Sequence, residues 1–91
     1  MYRFEISDRV IKSLRDAASV AKSIPDKLND LAVNPVSNAI STGIPIIGSY
    51  YINAGRYCIL FDINNDEQIV SILSIVPNSY LYRVLTGRID P

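Results

Sequence analysis

Tyr2, Phe4 and Ile6 alternate with Arg3, Glu5 and Ser7, the two-residue period of a strand with one face buried. Asp8 is placed to cap a helix, its carboxylate accepting from the free amides of the helix start. Val10, Ile11, Leu14, Ala17, Ala18 and Ala21 then form one apolar stripe at helical spacing, with Arg9, Lys12, Arg15, Asp16 and Lys22 outside it. Asp8–Lys12 and Lys12–Asp16 sit four apart and support the helix by a few tenths of a kcal/mol each. That charged face reads as a solvated surface. Ser23-Ile24-Pro25-Asp26 signals a second helix start: serine to cap, proline in the first turn, an acid at the positive dipole end. Ile24, Leu28 and Leu31 point one way, and Asn34-Pro35 ends the helix because the residue before proline is pushed out of the α region.

Val36 to Pro45 has no clear period and reads as a loop. Ile46 to Ala54 is expected to be a strand, kinked or bulged at Gly48. From Arg56 to Ile63 the alternation is strong, with Tyr57, Ile59, Phe61 and Ile63 on one face and Arg56, Cys58, Leu60 and Asp62 on the other. Ile69 to Val76 is apolar on both faces, as in a central strand covered on both sides. Pro77-Asn78 ends it, and Tyr80 to Leu85 reads as a short helix. The order is β-α-α-β-β-β, an α+β fold in which two N-terminal helices pack on one mainly antiparallel sheet. The expected core includes Phe4, Ile6, Val10, Leu14, Leu28, Ile59, Phe61, Ile72 and Leu73.

Ninety-one residues, 48% of them hydrophobic, describe one folded domain with a single modest core. The charges balance at nine basic and nine acidic, and the bases are interleaved with acids, so tight electrostatic binding to bulk nucleic acid is excluded. Beyond residue 27 the only cations are Arg56, Arg83 and Arg88. One cysteine, Cys58, forms no internal disulfide. With no histidine, the ordinary acid–base residue of neutral pH is missing. Asp62, Asp66 and Glu67 are too few and too turn-like for a metal site, and no cofactor is expected. MYRFEISDRV lacks the apolar core of a signal peptide. The charge-free stretch Leu31 to Gly55 is studded with Asn, Ser, Thr, Gly and Pro and would not cross a bilayer. A cytoplasmic location is the expectation.

Three local patterns carry a family resemblance. Leu31-Ala32-Val33-Asn34-Pro35 ends the second helix. Gly55 is followed by Tyr57-Cys58-Ile59-Leu60-Phe61, and Ile72-Leu73-Ser74-Ile75 by Asn78 and Tyr82. Together they resemble the RelE/ParE superfamily, the small toxins of bacterial type II toxin–antitoxin pairs. The resemblance implies a single toxin domain over residues 1–91, bound by a cognate antitoxin in a hetero-oligomer. It further implies a ribosome-dependent mRNA interferase acting on mRNA. The alternatives are ParE-like inhibition of DNA gyrase, or a catalytically silent antitoxin-binding and co-repressor module. The departures fall where the chemistry should be. The family's arginine after the strand tyrosine falls on Cys58, its arginine at the corner after the last strand on Asn78, and its strand lysines near Tyr51 to Asn53.

Cleaving RNA through its own 2′-hydroxyl needs a base, an acid and positive charge on the phosphate. Arg56 stands two residues before Cys58, roughly 6–7 Å away on the same face if both lie in a strand. It is the candidate to reach the vacated place, with Tyr82 and Arg83 as helpers and Arg88 as a further cation. The plainer reading makes Arg56 and Arg83 surface residues that pair with Asp62 or an antitoxin carboxylate. Cys58, without a histidine partner, reads as a small, half-buried hydrophobe.

Overall fold

In the computed structural model, which describes residues Met1–Pro91, the elements run β1 (Arg3–Ile6), α1 (Asp8–Ala18), α2 (Ser23–Val33), α3 (Pro35–Asn38), β2 (Ile40–Ser41), β3 (Tyr50–Ala54), β4 (Tyr57–Asn64), β5 (Ile69–Pro77) and α4 (Asn78–Leu85). They build one five-stranded sheet in the order β1-β5-β4-β3-β2. The first strand lies parallel to the last, and the other neighbours are antiparallel.

Strand alternation sorts the sheet into two unequal faces. Ile52, Ala54, Ile59, Phe61, Val70 and Ile72 turn toward α1 and α2, where they meet Val10, Leu14, Ala17, Ile24 and Leu31. Burying side chains of this size is worth about 1.5–3 kcal/mol each, so this layer holds the fold. Phe4, Ile6 and Leu28 are only half-buried and pack at its margin. The opposite face carries a smaller cluster of Cys58, Leu60 and Leu81, with Ile47, Tyr51 and Val76 against it. The final helix α4 therefore lies on the far side of the sheet from α1 and α2.

Four expectations are corrected. Leu73 is not core: it is 38% exposed. Leu73 follows the helix-facing Ile72 and so turns to the other face; Leu60 pairs with Ser74 but Phe61 with Ile72, so β5 carries one extra residue at a bulge, after which Ile75 rather than Ser74 faces the helices. The cap of α1 is Ser7, whose Oγ accepts from the Val10 amide at 3.3 Å, with Asp8 already inside the first turn. Ser23 does not cap α2, because Lys22 before it has helical angles and makes no side-chain cap. Residues 36–49, expected as a loop and the start of a strand, hold α3 and the two-residue β2 and then turn. Asn34 opens α3 by accepting from the Ser37 amide, with Pro35 at its first position.

The turn after β2 folds onto the α4 side of the sheet. The Thr42 hydroxyl donates to the Gly48 carbonyl at 2.6 Å, and the Ser49 amide donates to Asp62 Oδ1 at 2.8 Å. Gly48, at φ +129°, sits so close that a Cβ would lie 3.2 Å from Leu73 Cδ1 and 3.4 Å from Leu60 Cβ. That fit explains why the strand waits until Tyr50. No helix is long and apolar enough to cross a membrane.

Candidate functional site on the face covered by α4

Register brings the three places of missing charge together. Asn53 and Cys58 are direct cross-strand partners, and Asn78 opens α4 immediately after β5. The Cys58 thiol donates to Asn78 Oδ1 at 2.6 Å, and Asn53 Oδ1 lies 3.4 Å from the same sulfur. Asn78 uses both ends of its side-chain amide and its backbone amide. Its Nδ2 donates to the Gly55 carbonyl at 2.9 Å, and its backbone amide donates to the Arg56 carbonyl at 2.8 Å. Because the amide group must face Gly55 with its NH₂ end, its oxygen is left facing the thiol, which needs an acceptor.

Cys58 is 2% exposed, and burial pushes its thiol from an ordinary 9.0 up to about 11. At neutral pH the group is S–H, a donor, with no thiolate to attack anything. The cluster is thus a neutral set of donors and acceptors, buried at Cys58 and open to solvent at Asn53, that pins the start of α4 to the β3–β4 turn. It can position a helix. It offers no cation to a phosphate and no base to a hydroxyl.

The other sequence-derived candidates stand around this cluster. Arg56 belongs to the turn, since β4 begins at Tyr57; the strand alternation that set it beside Cys58 does not extend to it. It is exposed and lines a cavity facing the α1–α2 turn. Tyr82 and Arg83 are both exposed on α4, between the buried Leu81 and Val84. The Arg83 Nε donates to the Ser79 carbonyl at 3.4 Å. The guanidinium of Arg88 sits 5.8 Å from the centre of the Tyr82 ring, a cation–π contact. The structure therefore groups Tyr82 of α4 with Arg88 just beyond it, and Arg56 with Lys22 across the turn.

Sequence reasoning missed Asn53 and Asn78 as partners of Cys58, and it missed Lys22. The pairing depends on strand register, which residue types alone do not reveal. A second concavity on this face, lined mainly by the apolar side chains of Ile46, Ile47, Leu60, Leu73 and Val76, has a volume of about 440 Å³.

No protein-family model matches the sequence, and no curated protein matches it. Solved structures do. A chain of the toxin–antitoxin complex RelBE2 from Mycobacterium tuberculosis superposes with a TM-score of 0.66 at 18% identity, over 85% of this chain and 98% of that one. E. coli toxin RelE, as a double arginine-to-alanine mutant in the free state, gives 0.64 at 21% identity over 97% of both chains. The protein is thus an α+β chain with helices on a five-stranded mixed sheet. Its fold is that of the RelE toxins, as the sequence resemblance implied.

Proposed function

We propose that this chain is the toxin component of a bacterial type II toxin–antitoxin pair, one domain over residues 1–91 that works in the cytoplasm. Binding to a cognate antitoxin in a hetero-oligomer neutralises it. The observation that carries the reading is the fold, shared with a toxin solved as a toxin–antitoxin complex. The surface supports it. Val33, Val36, Ile40 and Ile46 are 45–85% exposed and all come from the charge-free stretch, and the apolar groove floored by Leu60 and Leu73 lies beside Ile46. Such a surface calls for cover, and an amphipathic helix or an added strand of the antitoxin is the cover we assign to it.

Ribosome-dependent mRNA cleavage is the activity the resemblance implies, and here it rests on Arg56, Tyr82 and Arg83. The Asn53–Cys58–Asn78 cluster favours a second reading, because a protonated thiol between two amides supplies no charge to a scissile phosphate. On that reading the chain poisons gyrase in the ParE manner or is a silent antitoxin-binding module. Induced expression in a bacterium, with growth recorded, tests both. Arrest relieved by the antitoxin supports the toxin assignment. Cleavage of ribosome-bound mRNA supports the interferase, and loss of plasmid supercoiling with intact mRNA supports gyrase poisoning. Normal growth with a stable antitoxin complex leaves the silent module. Normal growth without any partner overturns the proposal.

A further inference from the structure

Across the β3–β4 turn from the neutral cluster, a surface cavity of about 430 Å³ opens between that turn and the α1–α2 turn. Lys22, Ser23, Gly55, Arg56 and Tyr57 line it. Two of the nine cations line this space and no carboxylate does, in a chain whose nine basic and nine acidic residues balance overall. The acceptors of the turn are already engaged elsewhere. The carbonyls of Gly55 and Arg56 receive the side-chain and backbone N–H groups of Asn78, on the α4 side. The polar side chains toward the cavity are an ammonium, a guanidinium and the Ser23 hydroxyl, set beside the apolar Val20 and Ala21. Gly55 keeps the space open. At φ +62° it adopts a conformation that L side chains rarely take, and a Cβ there would stand 3.5 Å from Ser23 Oγ.

We propose that this cavity binds the phosphate of a nucleotide, with Lys22 and Arg56 on the phosphate oxygens and the Tyr57 ring against the base. Two cations without a counter-charge fit a phosphate, which a guanidinium grips through paired hydrogen bonds. The volume lies in the range of small-molecule sites, roughly 300–1,000 Å³, and exceeds what a bare phosphate fills. An aromatic wall beside the cations suits a base, because every base offers a face for stacking. An acidic peptide side chain would have no use for it. The inference goes beyond the antitoxin reading and does not depend on it.

The test is calorimetric titration of the purified chain with inorganic phosphate, adenosine 5′-monophosphate and triglutamate at low salt. Adenosine monophosphate is expected to bind near the millimolar range, about −4 kcal/mol by the affinity scale, and more tightly than phosphate. Lys22→Gln and Arg56→Gln should each weaken both ligands about 5- to 10-fold. Both residues are exposed, so an unchanged melting temperature shows that the variants remain folded. Tyr57→Leu should weaken the nucleotide and leave inorganic phosphate unchanged. The proposal is overturned by no nucleotide binding at about 10 mM, or by undiminished binding in the Lys22→Gln/Arg56→Gln double variant. It is equally overturned if triglutamate binds more tightly than the nucleotide, which would make this an acidic-peptide site. A chain that arrests growth but binds no nucleotide keeps the toxin assignment and loses this one.

Discussion

Cys58→Arg supplies the cation that the RelE/ParE resemblance expects at this position, and the structure predicts that it fails. The thiol is 2% exposed and shares its cluster with Leu60 and Leu81, so the longer side chain overfills the space, at about 1–3 kcal/mol. The guanidinium is also partly withdrawn from water, beside the half-buried Asn78 and the exposed Asn53. Asn53 and Asn78 offer one oxygen each to its five N–H donors, and the unmet donors add about 2–3 kcal/mol. Together these reach about 3–6 kcal/mol, against about 5–14 kcal/mol for a whole domain of this size. Urea unfolding followed by far-UV circular dichroism measures the loss. A Cys58→Arg chain within about 0.5 kcal/mol of its parent would refute the reasoning, since position 58 would then accept a cation.

Phe61→Ala should cost about 3–5 kcal/mol from a fully buried site, and Leu73→Ala under about 1.5 kcal/mol from the exposed side of the bulge. Equal losses in urea unfolding would mean that the bulge is misplaced. Because the folded thiol titrates near 11 rather than 9.0, the unfolded chain loses its proton first. The contribution is therefore whole below pH 9, falls as pH rises toward 11, and totals about 1–3 kcal/mol. Cys58→Ala should remove that part of the alkaline slope; an identical slope in parent and variant rejects burial of the thiol. Arg56→Ala should abolish growth arrest, if arrest depends on phosphate contact, while antitoxin binding and melting temperature stay nearly unchanged. Full toxicity in that variant removes Arg56 from the mechanism.

The long elements were legible because each had one period and one apolar face. Tyr2-Phe4-Ile6, the α1 stripe and Tyr57-Ile59-Phe61 could be placed without coordinates. Leu73 could not, because Ile69 to Val76 is apolar on both faces and nothing in such a run marks where parity slips. The slip is set by β4, where the Leu60–Ser74 pair gives way to the Phe61–Ile72 pair, leaving Leu73 unpaired and turning Ile75 to the helices. Residues 36–49 were opaque for a different reason. Pairing of Ile40 and Ser41 with Tyr51 and Tyr50, together with the close seat of Gly48 on the sheet, decides their conformation. Those are tertiary facts without a local signature.

The site divides in the same way. The residue types at positions 53, 58 and 78 were readable one by one as departures from a cationic pattern, but their mutual bonding was not. Asn78 lies twenty residues from Cys58 along the chain and 2.6 Å from its sulfur. Once they are adjacent, the absence of charge acquires a structural role. A lone arginine in this cluster would be a partly buried cation short of acceptors. A thiol and an amide satisfy each other, and the free end of the amide fastens the β3–β4 turn. The same fastening draws the carbonyls of Gly55 and Arg56 toward α4 and leaves Lys22, Ser23 and Arg56 as the donors on the opposite side. Positive charge on this part of the fold is therefore displaced across the turn. Phosphate contacts near Cys58 are left to Arg56 from that side, through a turn that Asn78 holds in place, and to Arg83 on α4. Asn78→Ala, which frees both Gly55 and the thiol, should on this argument weaken nucleotide binding at the Lys22–Arg56 cavity as well as cost about 1–3 kcal/mol of stability. Stability lost with nucleotide affinity intact would show that the two sides of the turn are independent.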